Sequence, residues 1–181
     1  MNSSREETLL VLRAQTGDRE ALELLLRRIY APLRGYLRGM LEPSIAEDAL
    51  QDTSFQIYRK LRWLREPTVF RSWAFRIASR IAFAHLARER RWRASDRDPE
   101  ILNSIQDPVS LHWDYMSRAR FTALLGQVTP ACRAVLLLHY EEDLSLQEVA
   151  AILSIPLGTV KSRLQYGINI LRKHLKENET T

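Results

Sequence analysis

Between Thr68 and Arg97 the chain carries eight arginines, no lysine and two acids, Glu89 and Asp96, a net charge of +6 against +5 for the whole molecule. Within that segment, FRSWAFRIASRIAFAHLARERRWR (70–93) sets aromatic rings among the guanidinium groups. Guanidinium pairs with phosphate, and aromatic faces stack on unpaired bases, so the mixture suits single-stranded nucleic acid. Taken singly, each aromatic is as well explained by packing in a helical bundle; the run of arginines is not. On a helical wheel starting at Phe70, Trp73, Ile77, Ile81 and Ala84 are expected to face a core. Phe75, Ser79, Phe83, Leu86 and Arg90 fall on the other side, with Arg76 beside them.

Two other clusters have chemistry-bearing spacing. In SIAEDALQD (44–52), Glu47, Asp48, Gln51 and Asp52 gather on one helical face, while Ala46, Leu50, Thr53, Ile57, Leu61 and Leu64 form a stripe to be buried. A compact acidic and amide patch suits docking to a basic partner surface. Ser44 and Glu47 also read as a capping box, and favourable charge at a helix N-terminus accounts for Glu47 and Asp48 without a partner. Near the C-terminus, Ser145-Leu146-Gln147-Glu148 is a second capping box, and PLGTVKSRLQYG (156–167) follows a tight turn. Two short helices so joined make a helix-turn-helix, whose second helix enters the DNA major groove. On its wheel Val160, Leu164, Ile168, Leu171 and Leu175 face a core. Ser162, Tyr166, Asn169 and Lys173, flanked by Lys161 and Gln165, face away, where they can meet base edges and phosphates. A merely solvated face is the alternative that periodicity leaves open.

The elements that must carry these groups are helices throughout, giving an all-α fold. Apolar spacing and stop signals predict helices over about 6–15, 18–42 (capped by Asp18 and kinked at Pro32), 44–64, 68–93, 115–127, 130–141, 145–153 and 158–176. Thr68 can cap the arginine-rich helix. The stretch 94–116 holds Pro99, Pro108 and several acids without a sustained period, and reads as a flexible acidic linker between two helical domains, 1–93 and 117–181.

Several functions are excluded or unsupported. Only Cys132 is present, so no disulfide framework is possible, and with no signal-peptide layout at MNSSREETLL a reducing cytoplasm is expected. No apolar run approaches the roughly 20 residues of a membrane span. His85, His112, His139 and His174 lie far apart, without metal-ligand spacing. No nucleophile–base pair, phosphate loop or matched carboxylates suggest catalysis; no metal, cofactor, small-molecule substrate or enzymatic activity is expected.

The word-level pattern goes further. LSLQEVAAILSIPLGTVKSRL (144–164), AEDALQDTSFQIYRKL (46–61) and FRSWAFRIASRIAFAHLARERRWR (70–93) together resemble the extracytoplasmic-function (ECF) group of sigma-70 family RNA polymerase sigma factors. The resemblance covers about 6–93 and 117–176. It implies that 1–93 corresponds to sigma region 2 and 117–181 to region 4. It further implies docking of Glu47, Asp48, Gln51, Asp52 and Phe55 on the clamp coiled coil of core RNA polymerase, with the C-terminal domain presenting apolar surface to the flap. By the same resemblance, Arg71, Arg76, Ser79, Arg80, Phe83, Arg88, Arg90 and Arg91 would contact the promoter −10 element. Thr159, Lys161, Ser162, Arg163, Gln165 and Tyr166 would contact the −35 element. An anti-sigma factor, often membrane-bound in relatives, is the implied regulator. The chain departs from the pattern at Arg80 and Ala84, where relatives often have Asn and Asp, and at Tyr166 and Ile168, where they often have Arg. A stand-alone helix-turn-helix regulator is the competing reading, and would bind a palindromic site without polymerase. An enzyme acting on nucleic acid would need metal carboxylates or a nucleophile that the sequence lacks.

Overall fold

The computed structural model describes residues 2–93 and 124–179, with side chains described for 5–89 and 124–175. The chain divides into two compact units, Met1–Ser95 and Asp96–Thr181. All regular structure among the described residues is helical, as expected for an all-α chain. The expected linker and most of the helix expected over 115–127 lie outside the described residues.

The first unit contains α1 (Asn2–Gln15), α2 (Arg19–Met40), α3 (Pro43–Lys60) and α4 (Phe70–Arg93). Asp18 caps α2 as expected: its carboxylate accepts from the Ala21 amide at 3.0 Å and from Arg13 Nε at 2.8 Å. Those bonds, the amide first, hold its pKa below the usual carboxylate range. α2 continues through Pro32 to Met40 without a break. Most of the expected stripe on α3 is present, with Ala46, Leu50, Thr53, Ile57 and the following Leu61 all buried, while Leu64, its last member, is half-buried in the turn beyond.

Three local expectations are corrected. The capping box at Ser44 does not form, because Pro43 already occupies the first helical position and Glu42 is the cap residue, with no side-chain bond. Glu47 is thereby free to turn toward α2. Thr68 does not cap α4 either; it sits inside a 3₁₀ turn, Pro67–Val69, and donates its hydroxyl to Glu66 at 2.6 Å. Finally, α4 buries a different face from the expected one. Phe70, Ala74, Phe75, Ala78, Ser79 and Ala82 are buried, whereas Trp73, Ile77 and Ile81 are half-buried and Ala84 is exposed. The small residues at 74, 78 and 82 lie four apart on one helical row, so neighbouring helices can approach closely there.

The second unit contains α5 (Pro130–Leu136), α6 (Leu146–Leu153) and α7 (Leu157–Glu179). After α5 the chain widens into a π turn over Leu137–Glu141. The capping box of α6 is complete: the Glu148 amide donates to Ser145 Oγ at 3.3 Å, and the Ser145 amide donates to Glu148 Oε2 at 2.9 Å. Ser154 closes α6 in the left-handed region at φ 56°, and Pro156 follows. Val160, Leu164, Ile168 and Leu171 are buried as expected, and Leu175 is half-buried. α7 crosses α5 at Gly167, where an added Cβ would lie 2.9 Å from Leu136 Cδ1 and 3.6 Å from Cys132 Cβ. A side chain at 167 would have to push the end of the Leu136 side chain aside.

Candidate nucleic-acid and docking interfaces

The α3 face differs from its sequence reading in one respect. Asp48, Gln51, Asp52 and Phe55 are exposed. Glu47 is half-buried and held inside the chain: its Oε1 accepts from Arg34 Nε at 3.0 Å and from Arg38 Nη2 at 2.7 Å. These guanidiniums, Arg34 foremost, keep its carboxyl below the usual range. Glu47 therefore ties α3 to α2. The exposed acids are Asp48 and Asp52. Alongside runs a groove of about 590 Å³ bounded by Leu50, Gln51 and Ser54 of α3 and by Leu26 and Tyr30 of α2. Tyr30 is 47% exposed and is a feature of this face that the sequence reading did not single out.

On α4, Arg80 and Arg88 are exposed, while Arg71, Arg76 and Phe83 are half-buried. Arg71 lies 5.6 Å from the centroid of the Phe75 ring. Ser79, expected among the DNA-contacting residues, is a core residue instead. It is 2% exposed, and its hydroxyl is 2.8 Å from that of Tyr36, whose ring meets Phe75 edge-on with centroids 5.7 Å apart. Burial pushes the Tyr36 hydroxyl above the ordinary tyrosine range, so it stays protonated and able to donate. Replacing Tyr36 by Phe is expected to cost about 1 kcal/mol of stability in chemical denaturation by removing that bond, with no change in DNA affinity. The side chains of Arg90 and Arg91 lie outside the described residues.

The sequence reading also passed over Tyr58 and Trp63, 59% and 70% exposed at the end of α3 and in the turn after it. The signal was present in YRKLRW (58–63), an aromatic-basic run on a short segment with no period of its own.

The outward face of α7 follows its wheel at Lys161, Tyr166, Asn169 and Lys173, which are exposed, and only in part at Ser162 and Gln165. Lys161 and Tyr166 are exposed; Thr159, Ser162, Arg163 and Gln165 are half-buried. Ser162 Oγ donates to the Thr159 carbonyl at 3.1 Å, and Gln165 Nε2 donates to Asn169 Oδ1 at 3.1 Å, while Gln165 Oε1 has no partner. Both polar groups are held in place before any ligand arrives. If they read base edges, Ser162→Ala or Gln165→Ala should shift −35 base preference by about 1–3 kcal/mol. Lys161→Ala should instead weaken all sites alike and flatten the salt dependence. Binding titrations on a panel of −35 variants at several salt concentrations would distinguish these outcomes.

Among the described residues there is no cluster able to hold a metal ion, and no helix is long and apolar enough to cross a membrane.

A helix-turn-helix unit preceded by a four-helix unit that exposes Asp48 and Asp52 on α3 is an architecture with known relatives. Residues 25–92 match the family described as Sigma-70 region 2, and residues 118–168 that described as Sigma-70, region 4. The chain is 30% identical over 175 residues to the RNA polymerase sigma-H factor of Pseudomonas aeruginosa, with 91% of each chain covered. It is 28% identical over 174 residues to the ECF RNA polymerase sigma-E factor of Escherichia coli (strain K12), again with 91% of each covered. Among solved structures, it is similar in fold to CnrH, described in complex with the cytosolic domain of CnrY, with a TM-score of 0.70, 21% identity and coverage of 95% of this chain and 98% of that one. It is likewise similar to the sigma factor RpoE of Bartonella quintana, described in complex with the anti-sigma factor NepR, with a TM-score of 0.68, 20% identity and coverage of 85% and 96%. The chain belongs to the sigma-70 family of RNA polymerase sigma factors, within its ECF group.

Proposed function

We propose that this protein acts in the cytoplasm as a dissociable specificity subunit, without enzymatic activity of its own. It binds core RNA polymerase and directs initiation at promoters carrying its −10 and −35 elements. The observation that carries this reading is the order of the two matches on one chain, region 2 before region 4. A helix-turn-helix alone would suit many regulators; the preceding unit with its exposed Asp48, Gln51 and Asp52 would not. In this reading Asp48, Gln51, Asp52 and Phe55 dock on the polymerase clamp. Arg71, Arg76, Arg80, Phe83 and Arg88, followed by Arg90 and Arg91, engage the −10 region. Thr159, Lys161, Ser162, Arg163, Gln165 and Tyr166 engage the −35 duplex, and the C-terminal unit meets the flap.

Dividing recognition between two units has a physical rationale. Each unit contacts few bases, and attachment to polymerase makes the second contact intramolecular, so effective concentration substitutes for individual affinity. The free protein should therefore bind promoter DNA weakly. An anti-sigma factor is the proposed regulator, since the sigma factor RpoE of Bartonella quintana, similar in fold, is described with an anti-sigma factor bound. Run-off transcription with core enzyme over a genomic promoter library tests the proposal. Initiation that depends on both core and this chain is expected, and no core-dependent initiation at any promoter would refute it. Tight binding to a palindromic site without polymerase would favour a stand-alone regulator.

A further inference from the structure

Gln165 and Asn169 lie one turn apart on α7, and their side-chain amides are bonded to each other, Gln165 Nε2 donating to Asn169 Oδ1 at 3.1 Å. Asn169 is exposed and Gln165 half-buried. The other end of the Gln165 amide is also constrained, since its Oε1 is buried and has no hydrogen-bond partner among the described residues. One N–H of Gln165 is thus engaged and its carbonyl oxygen is turned away from solvent. What remains to present to a ligand is the second N–H of Nε2.

That arrangement departs from the usual use of glutamine on DNA. A glutamine free to rotate is matched to adenine, its carbonyl accepting from N6 while its amide donates to N7. The match needs oxygen and nitrogen side by side at the base edge, and here the oxygen faces inward. Turning both amides over does not bring the acceptor out. Asn169 would then donate to Oε1, and the buried atom without a partner would be an NH₂ group. Buried orphan donors are rarer in folded proteins than carbonyls short of a partner, which favours the orientation with Oε1 inward.

A lone donor sorts the four bases by their major-groove edges. Guanine offers the acceptors N7 and O6, and thymine offers O4. Adenine sets an N6 donor beside its N7, and cytosine presents only the N4 donor. A fixed N–H is therefore matched best by guanine, then by thymine, and is opposed by cytosine.

We propose that Asn169 is a positioning residue that makes Gln165 read an acceptor-bearing base, guanine first and thymine second, in place of adenine. The proposal rests on the reading of α7 as the −35 contact, and it places a determinant of base preference on a residue that acts through Gln165.

The test uses the full chain assembled with core RNA polymerase, and promoter fragments carrying each of the four base pairs at every −35 position. Competition binding gives their relative affinities. In the wild type, one position should favour guanine or thymine over adenine, and Gln165→Ala should erase the preference there. Asn169→Ala frees the amide to rotate, so adenine should gain on guanine at that same position by roughly 2- to 12-fold, the worth of one hydrogen bond. Asn169→Asp keeps an acceptor for Nε2 and should retain the guanine preference, while its charge weakens all fragments alike. The double variant should match Gln165→Ala alone, because Asn169 has no effect without its partner. An unchanged base profile in Asn169→Ala would overturn the proposal, as would adenine or cytosine as the wild-type preference at the position Gln165 controls, or no position that Gln165→Ala alters. Uniform weakening by Asn169→Ala would also overturn it, making Asn169 a phosphate contact. A wild-type holoenzyme with no −35 preference at all would refute the functional reading together with the proposal, whereas preserved preference with an unresponsive Asn169 refutes the proposal alone.

Discussion

Asp52→Arg is expected to weaken association with core RNA polymerase by about 2–5 kcal/mol, or roughly 30- to 4000-fold, the range for losing one partner of a desolvated charge pair. Asp52 is exposed and makes no internal bond among the described residues, so the change should leave the unfolding transition where it was. Titration of labelled protein with core enzyme measures the first quantity and urea denaturation the second; unchanged core affinity would remove Asp52 from the interface. Glu47 should behave in the opposite way, since its carboxylate is engaged by Arg34 and Arg38. Its pKa in the folded chain lies below that of an unfolded glutamate. Its contribution to stability is thus complete at neutral pH, above the unfolded value, and is lost as acid carries the pH down through the depressed one. A Glu47→Gln chain should lack that part of the acid sensitivity.

Phe75→Ala is expected to cost about 3–5 kcal/mol of stability, the usual penalty for emptying a fully buried phenylalanine site. Phe75 is 0% exposed and its ring meets Tyr36 edge-on. The matching control is Arg80→Ala on the exposed face of the same helix, which should leave the urea midpoint nearly unchanged and weaken promoter opening. The pair separates packing from DNA contact. A Phe75→Ala chain of normal stability with impaired opening would place the ring on DNA after all.

The difference between α3 and α4 shows what could be read in advance. In α3 the apolar residues other than Phe55 and Tyr58 lie on one side with acids and amides opposite, so periodicity leaves a single face to bury. The same holds for Val160, Leu164, Ile168 and Leu171 in α7. In α4, by contrast, Phe70, Trp73, Ala74, Phe75, Ile77, Ala78, Ile81, Ala82 and Phe83 cover nearly the whole circumference. Hydrophobicity cannot then choose a face. The choice falls to shape, with alanines where helices approach and Ser79 where Tyr36 supplies a hydroxyl, and those partners are distant in sequence. Glu47 eluded the sequence reading for a related reason. A local capping role and a long-range ion pair require the same residue at the same place, and only the position of Arg34 and Arg38 decides between them.

The crossing at Gly167 bears on how such a protein can change its promoter preference. Rotating α7 about its axis by one residue would bring Tyr166 or Ile168 against Leu136, where a single added Cβ would already press on the end of the leucine side chain. The missing side chain therefore acts as an index mark that sets the helix at one angle. On the proposed reading of the −35 duplex, Ser162, Gln165 and Tyr166 can be exchanged during divergence while the frame presenting them keeps its bearing, so preference can drift without re-engineering of the fold.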